Sequence, residues 1–261
     1  MIQRGKGVSH VVILMASYQG AAHVAAQLDS IAAQRHRDWS LVVSDDGSTD
    51  GTLARVEDFA RRFPPGQVRV VDGPRAGATR NFLSLLRHAP DGCAVAFCDQ
   101  DDFWLPDKLS RAVVAIRRPE PVHYAARTVI ADPHLRPLTG SRRFQRPLGL
   151  RNALVQAVMA GNTSVFNPAA ANLLRQAAGA AEAAGILSHD WWAYQVTAAA
   201  GARLIHDPAP ALLYRQHERS EVGRNDTAKA LLLRARKLMR GEFGRWIEAN
   251  LRSLLAIPHL L

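Results

Sequence analysis

The sequence predicts an α/β fold on a mostly parallel central sheet, and three observations predict it. Short apolar runs alternate with segments of helical periodicity through the first hundred residues. Polar residues gather in the loops that follow those apolar runs. An apolar content of 48% and a charged content of 21% are those of a globular protein. At 261 residues the chain makes one large or two small domains, with length enough for a substantial core.

Each element follows from its residues. Residues 1–10 carry basic side chains ahead of an apolar run, the layout of a signal peptide. The run is short and β-branched, and no small-residue cleavage site follows, so residues 11–15 read as a first buried strand. Residues 21–34 predict a helix with Val24, Leu28 and Ile31 on one face, and residues 40–44 a second strand. Residues 52–62 predict a second helix with an apolar stripe of Leu53, Val56, Phe59 and Ala60. A third strand over 68–71, a third helix over 80–87 and a fourth strand over 94–98 complete the series. Strands that are apolar throughout belong in a parallel sheet covered on both faces. Cys93 and Cys98 flank the fourth strand on opposite faces, which argues against a mutual disulfide and for a reduced, cytoplasmic setting. No run approaches the roughly 20 apolar residues needed to span a bilayer.

The loops after the strands carry the chemistry. They are ASYQG (16–20), DDGSTDGT (45–52) and DQDDFWLPDK (99–108). Asp99, Asp101 and Asp102 crowd one strand end, where like charges raise one another's pKa unless a cation neutralises them. A D-x-D pair suits a hard divalent ion that keeps positions open for phosphate oxygens. The same acids also suit a turn in which Asp102 or Asp107 caps the next helix. In the second loop Ser48 or Asp50 can cap a helix and Gly47 and Gly51 permit tight turns, which leaves Asp45 and Asp46 without a structural task. G-x-G-x-x-G is absent from the first turn, which counts against a nicotinamide dinucleotide.

The net charge of +10 concentrates in Arg142, Arg143, Arg146 and Arg151 and in Lys229, Arg234, Arg236, Lys237 and Arg240. No RNA-recognition, zinc-finger or helix-turn-helix signature accompanies them, so no nucleic-acid partner is expected.

The order ASYQG, VVSDDGSTDGT, GATRNF, FCDQDDFWLPDKL, HDWW, LYRQH resembles the family 2 glycosyltransferases of GT-A fold over roughly residues 9–218. It is most similar to bacterial members that transfer rhamnose or related sugars to surface polysaccharides. The resemblance implies a single Rossmann-like catalytic domain over 1–223, with a nucleotide-binding half at 9–118 and an acceptor half at 119–223. It implies that Ala16 and Tyr18 hold the nucleotide, although relatives often carry Thr-Tyr-Asn there. Asp46 would accept from a pyrimidine ring N–H, as an ionised carboxylate can. Arg80 and Asn81 would line the nucleotide pocket, Arg80 being equally suited to a solvated helix face. Asp99 and Gln100 would meet ribose or donor sugar, and Asp101 would bind Mn²⁺ or Mg²⁺ on the diphosphate. Arg215 would pair with diphosphate oxygens, and His217 would complete the metal or diphosphate site. Trp104, Pro106 and Lys108 are expected to shape the loop and open the next helix.

In HDWW, residue physics favours a helix start capped near Asp190 with two core tryptophans, whereas the resemblance makes Asp190 the base of an inverting transfer. Gly161 would let the donor sugar approach, with Asn162 or Thr163 at its hydroxyls, or the segment is a polar turn. Residues 142–146 either handle the acceptor or are solvated. Residues 224–261 read as a basic amphipathic tail, with Leu231, Leu232, Ala235, Leu238 and Met239 opposite Lys229, Arg236, Lys237 and Arg240. That tail suits either an anionic membrane surface, giving peripheral attachment on the cytoplasmic face, or packing on the domain. The expected partners are a dTDP- or UDP-sugar donor and a saccharide or lipid-linked acceptor. The rival functions are a sugar nucleotidyltransferase, which would want a glycine- and basic-rich phosphate loop, and a non-catalytic nucleotide-sugar-binding module.

Overall fold

The structure is a computed structural model that describes residues 10–144, 146–216 and 242–261. Its first four strands are β1 (Val11–Ser17), β2 (Trp39–Asp45), β3 (Val68–Asp72) and β4 (Ala94–Asp99). They lie parallel in the order β3-β2-β1-β4, with β1, β2 and β4 buried as their apolar runs require and β3 half-exposed at the edge. The expected helices occur as α1 (Val24–Ala32), α2 (Thr52–Ala60) and α3 (Ala78–Leu85). α1 starts later than its periodicity suggests, because Gly20 and Ala21 are held by other loops. α2 begins after Gly51, which caps it in the left-handed region at φ 87, while Asp50 accepts from the Thr52 N–H.

Beyond β4 the sheet becomes mixed. β5 (Phe103–Trp104), β6 (Val122–Ala131), β7 (Pro137–Gly140), β8 (Val165–Phe166) and β9 (Arg203–Arg215) extend it in the order β4-β8-β6-β9-β5, with β7 pairing β6. β8 runs antiparallel to both β4 and β6, and β6 runs parallel to β9. The helices of this half are α4 (Lys108–Ala115), α5 (Leu150–Ala153), α6 (Pro168–Ala184) and α7 (His189–Ala199). α6 follows a readable start signal: Asn167 accepts from the Ala170 N–H, Pro168 occupies the first turn, and Gly185 closes the helix at φ 67.

Two cores sandwich the sheet. Val11, Ile13 and Met15 of β1 face α1, α2 and α4, while Val12 and Leu14 face α3, α6 and α7. His123 of β6 is fully buried between Thr197 Oγ1 (3.0 Å) and Ser164 Oγ (2.9 Å). Cys93 and Cys98 are free thiols.

A last helix, α8 (Glu242–Leu255), packs on α6 and α7 with Ala249, Asn250, Leu254 and Ile257 buried, and its Ser253 Oγ accepts from Trp192 Nε1 at 3.0 Å. This part of the expected tail therefore belongs to the domain. The face formed by residues 229–240 lies outside the described residues, as does His217. No helix among the described residues is long and apolar enough to cross a membrane.

Candidate functional site

The register brings the three polar loops to one sheet edge, pairing Ser17 with Asp45 and Ala16 with Asp99. Neither acid of the second loop is idle, contrary to expectation. Asp45 Oδ1 accepts from the Gly47 and Ser48 N–H groups (3.0 and 2.6 Å), and Oδ2 from the Ser17 and Ser48 hydroxyls (2.8 and 2.7 Å). Asp45 is thus the local organiser of its turn. Asp46 accepts from the Arg75 and Gly77 N–H groups, each at 2.9 Å, so residues 73–77 wrap its carboxylate. A carboxylate has about four acceptor sites, which leaves capacity for further donors. The wrap demands glycine at 73, where a Cβ would stand 2.4 Å from Asp46 Oδ1. Arg75 takes φ 55 to complete it, a feature signalled in sequence only by the flanking glycines.

Asn81 departs from its expected place on the pocket wall. It is 1% exposed and donates Nδ2 to the Ser44 carbonyl at 2.9 Å, tying α3 to β2. Arg80 is exposed on α3. Gln100 also differs from expectation: its amide clasps the Tyr18 backbone, accepting from the N–H at 3.0 Å and donating to the carbonyl at 2.9 Å. Tyr18 itself is 57% exposed.

At the end of β4, Asp99 and Asp101 are half-buried, whereas Asp102 turns inward and is fully buried. Asp102 accepts from Asn162 Nδ2 (2.7 Å) and from the Arg215 N–H (3.3 Å). Arg215, expected on diphosphate, is 6% exposed and donates Nε to the Asp101 carbonyl (2.8 Å) and Nη1 to the Pro133 carbonyl (2.6 Å). It binds the acidic loop to the end of β9. Lys108, expected only to open a helix, is fully buried with its ammonium 3.4 Å from the Trp104 ring centroid. A desolvated contact of this kind contributes about 2 kcal/mol. Burial, aided by the charge of Asp101, raises the Asp102 carboxyl to about 8. Burial lowers the Lys108 ammonium to about 7. Each opposite charge works against the other's shift, so the two groups support one another's ionised forms.

The donor set fits a divalent cation of the magnesium type. Among the described residues no three His, Cys, Asp or Glu side chains converge to hold a metal. Such an ion commonly takes one or two protein carboxylates and completes its shell with water and phosphate oxygens. Asp101, and Asp99 beside it, are the half-buried carboxylates at this edge.

Asp190 stands in the first turn of α7. Its carboxylate accepts from the Trp191 N–H (2.7 Å), the Gly161 N–H (3.2 Å) and the Ser188 hydroxyl. The neighbouring His189 ring stacks on Phe82 at 3.9 Å between centroids, and burial lowers its pKa so that the ring stays neutral. Gly161 admits both side chains: a Cβ there would lie 2.9 Å from His189 Nε2 and 3.0 Å from Asp190 Cβ. Of the two readings of Gly161–Thr163, sugar contact or polar turn, the structure has the turn: Asn162 holds Asp102, and Thr163 donates to the Ala160 carbonyl at 2.9 Å. Arg142, Arg143, Arg146 and Arg151 are all exposed. A cleft of about 690 Å³ beside His10, Asp38 and Arg69 lies at the opposite ends of the strands, away from these carboxylates.

Comparison with known proteins places this arrangement. The profile described as "Glycosyl transferase family 2" matches residues 12–178. The dTDP-rhamnosyl transferase RfbG of Shigella flexneri is 29% identical over 225 residues, covering 83% of this chain and 76% of that protein. Of several mycobacterial relatives, 28% identical, this chain spans 58% of the length. S. aureus TarS 1-349 in complex with UDP-GlcNAc superposes with a TM-score of 0.59 at 15% identity, over 95% of this chain and 73% of that one. The mannosyltransferase PcManGT from Pyrobaculum calidifontis, in complex with GDP-Man and Mn²⁺, gives 0.55 at 19% identity, over 95% and 75%. Both share its fold.

Proposed function

This chain belongs to glycosyl transferase family 2, and we propose that it moves a sugar, with rhamnose the leading candidate, from a dTDP- or UDP-linked donor to a saccharide or lipid-linked acceptor, with inversion at the anomeric carbon. One observation carries the reading. The consecutive residues Gly161 and Asn162 hold Asp190 by a backbone N–H and Asp102 by a side-chain amide. The first turn of α7 is thereby locked to the acidic end of β4. That arrangement puts a carboxylate from the acceptor half beside the strand end that would hold the donor. RfbG, by its name a dTDP-rhamnosyl transferase, supports the donor.

Asp46 offers the acceptor that a pyrimidine N–H requires. Asp190 takes the proton from the acceptor hydroxyl as its oxygen bonds to the anomeric carbon and the bond to the diphosphate breaks. No covalent link to the protein forms, and the backbone N–H groups on Asp190 fix the direction of its free lone pairs. Mn²⁺ or Mg²⁺ held by Asp101 would offset the charge on the departing diphosphate. His217 would add to that site. The free thiols of Cys93 and Cys98 favour a cytoplasmic setting, and peripheral attachment to an anionic membrane is proposed for the basic stretch at 229–240.

A thermal-shift screen against dTDP-, UDP- and GDP-sugars, with and without Mn²⁺, tests the reading, because a ligand of the native state raises its melting temperature. A dTDP- or UDP-sugar should raise Tm in a metal-dependent way and release nucleotide diphosphate on addition of acceptor. No response to any nucleotide sugar would overturn it.

A further inference from the structure

We propose that Gln100, between the two half-buried acids of the β4 loop, is a positioning residue for nucleoside recognition, acting through the Tyr18 backbone. The inference rests on the donor-binding reading above. Four successive N–H groups after β1 are taken by side chains of other loops. Tyr18 donates to Gln100 Oε1 (3.0 Å), Gln19 to Ser48 Oγ (2.9 Å), Gly20 to Thr52 Oγ1 (2.8 Å) and Ala21 to Asp50 Oδ2 (3.0 Å). The last three tie the loop to the β2–α2 turn. Gln100 ties it to β4, and does so twice, because its Nε2 also donates to the Tyr18 carbonyl at 2.9 Å. An amide that accepts from the N–H and donates to the C=O of one residue holds the two peptides on either side of its Cα, and so its φ and ψ. The backbone conformation at Tyr18 in turn sets where the exposed phenol ring stands.

Gly20 supplies an independent sign that the clasp is built into the loop. A Cβ at position 20 would fall 2.0 Å from Gln100 Oε1 and 2.5 Å from its Cδ. Gly20 is absent from the glycines of positive φ, so its backbone does not demand glycine. A side chain at position 20 and the clasped Gln100 amide cannot occupy this space together. The clasp also leaves the Gln100 amide engaged with backbone, so its part in binding is to hold the loop and not to touch the donor. Asp101, the next residue, is the acid proposed for the diphosphate, so the Gln100 side chain would join the nucleoside end to the diphosphate end.

The test compares wild type, Gln100→Met, which keeps length without the amide, and Gly20→Ala, which displaces the amide. Affinities for dTMP and dTDP (and UMP and UDP) are measured by calorimetry with Mn²⁺, together with KM and kcat for the donor. Both variants should weaken the preferred monophosphate and diphosphate equally, by about tenfold, equivalent to about 1.4 kcal/mol. KM should rise by the same factor while kcat at saturation stays within a factor of about two. In a Gln100→Ala background, Gly20→Ala should cost no further stability. Weakening of the diphosphate without the monophosphate would show that Gln100 touches the diphosphate or sugar directly, and overturn the proposal. Unchanged affinity in stable variants, or a loss of Tm alone, would overturn it too. Failure of wild type to bind any of these nucleotides would instead remove the donor reading on which it rests.

Discussion

Asn162 donates Nδ2 to Asp102 Oδ2 at 2.7 Å, across 60 positions of sequence. The bond joins the buried acid of β4 to the segment ahead of β8. Asn162→Ala leaves a fully buried carboxyl group with a 3.3 Å bond from the Arg215 N–H as its main partner. A buried polar group left without its partner costs about 1–3 kcal/mol. Urea unfolding should show that loss in the midpoint with an unchanged slope, and stability within about 0.5 kcal/mol of wild type would contradict it.

Asp190→Asn retains the shape of the side chain and removes the base. Turnover should fall by about 10²–10⁴, while Kd for the nucleotide diphosphate stays within a factor of about two. Initial rates and calorimetry on one preparation check both. Turnover near wild type would place the base on another residue.

Gly161→Ala separates geometry from chemistry. The added Cβ would come within 3.0 Å of Asp190 Cβ and 2.9 Å of His189 Nε2, so α7 must shift. Small displacements of a reacting group can cost about 100-fold in rate. Rate should therefore fall on that scale with donor affinity retained, and far-UV circular dichroism should be unaltered.

His123 makes stability depend on pH. Burial lowers its pKa from 6.5 to about 3. The folded state keeps the ring neutral, whereas the unfolded chain binds a proton below 6.5. Its contribution is fully present above pH 6.5 and declines as pH falls from 6.5 toward 3, by at most about 1.4 kcal/mol per pH unit. His123→Gln should flatten the difference in unfolding free energy between pH 7.5 and 5.0. An identical pH profile in wild type and variant would rule out this source.

The first half of the fold was legible because β1, β2 and β4 are buried, mostly apolar runs and α1 and α2 keep a 3.6-residue stripe. The edge that carries the site followed from the same alternation. What stayed hidden was the inward or outward direction of polar side chains. Asp45 and Asp46 look alike in sequence, yet one organises its own turn and the other is wrapped by residues 73–77. Asp102 and Lys108 read as loop residues and proved fully buried, because their partners Asn162 and Trp104 become neighbours only on folding. β8 has only two residues and β9 mixes proline with charge, so neither carries a strand pattern of its own.

The docking of α8 changes how the cellular address of this protein can be asked about. Cutting the chain at residue 223 removes the basic residues at 229–240 and, with them, the helix whose Ser253 meets Trp192. Loss from a membrane fraction after such a cut reports a damaged enzyme as readily as a lost anchor. The experiment that separates them replaces Lys229, Arg236, Lys237 and Arg240 by glutamine in the full-length chain. If the stretch is an electrostatic tether, membrane association drops while turnover in solution persists. A change of charge at 229–240 leaves α8 in place, and so asks about attachment without removing a helix that the domain packs against.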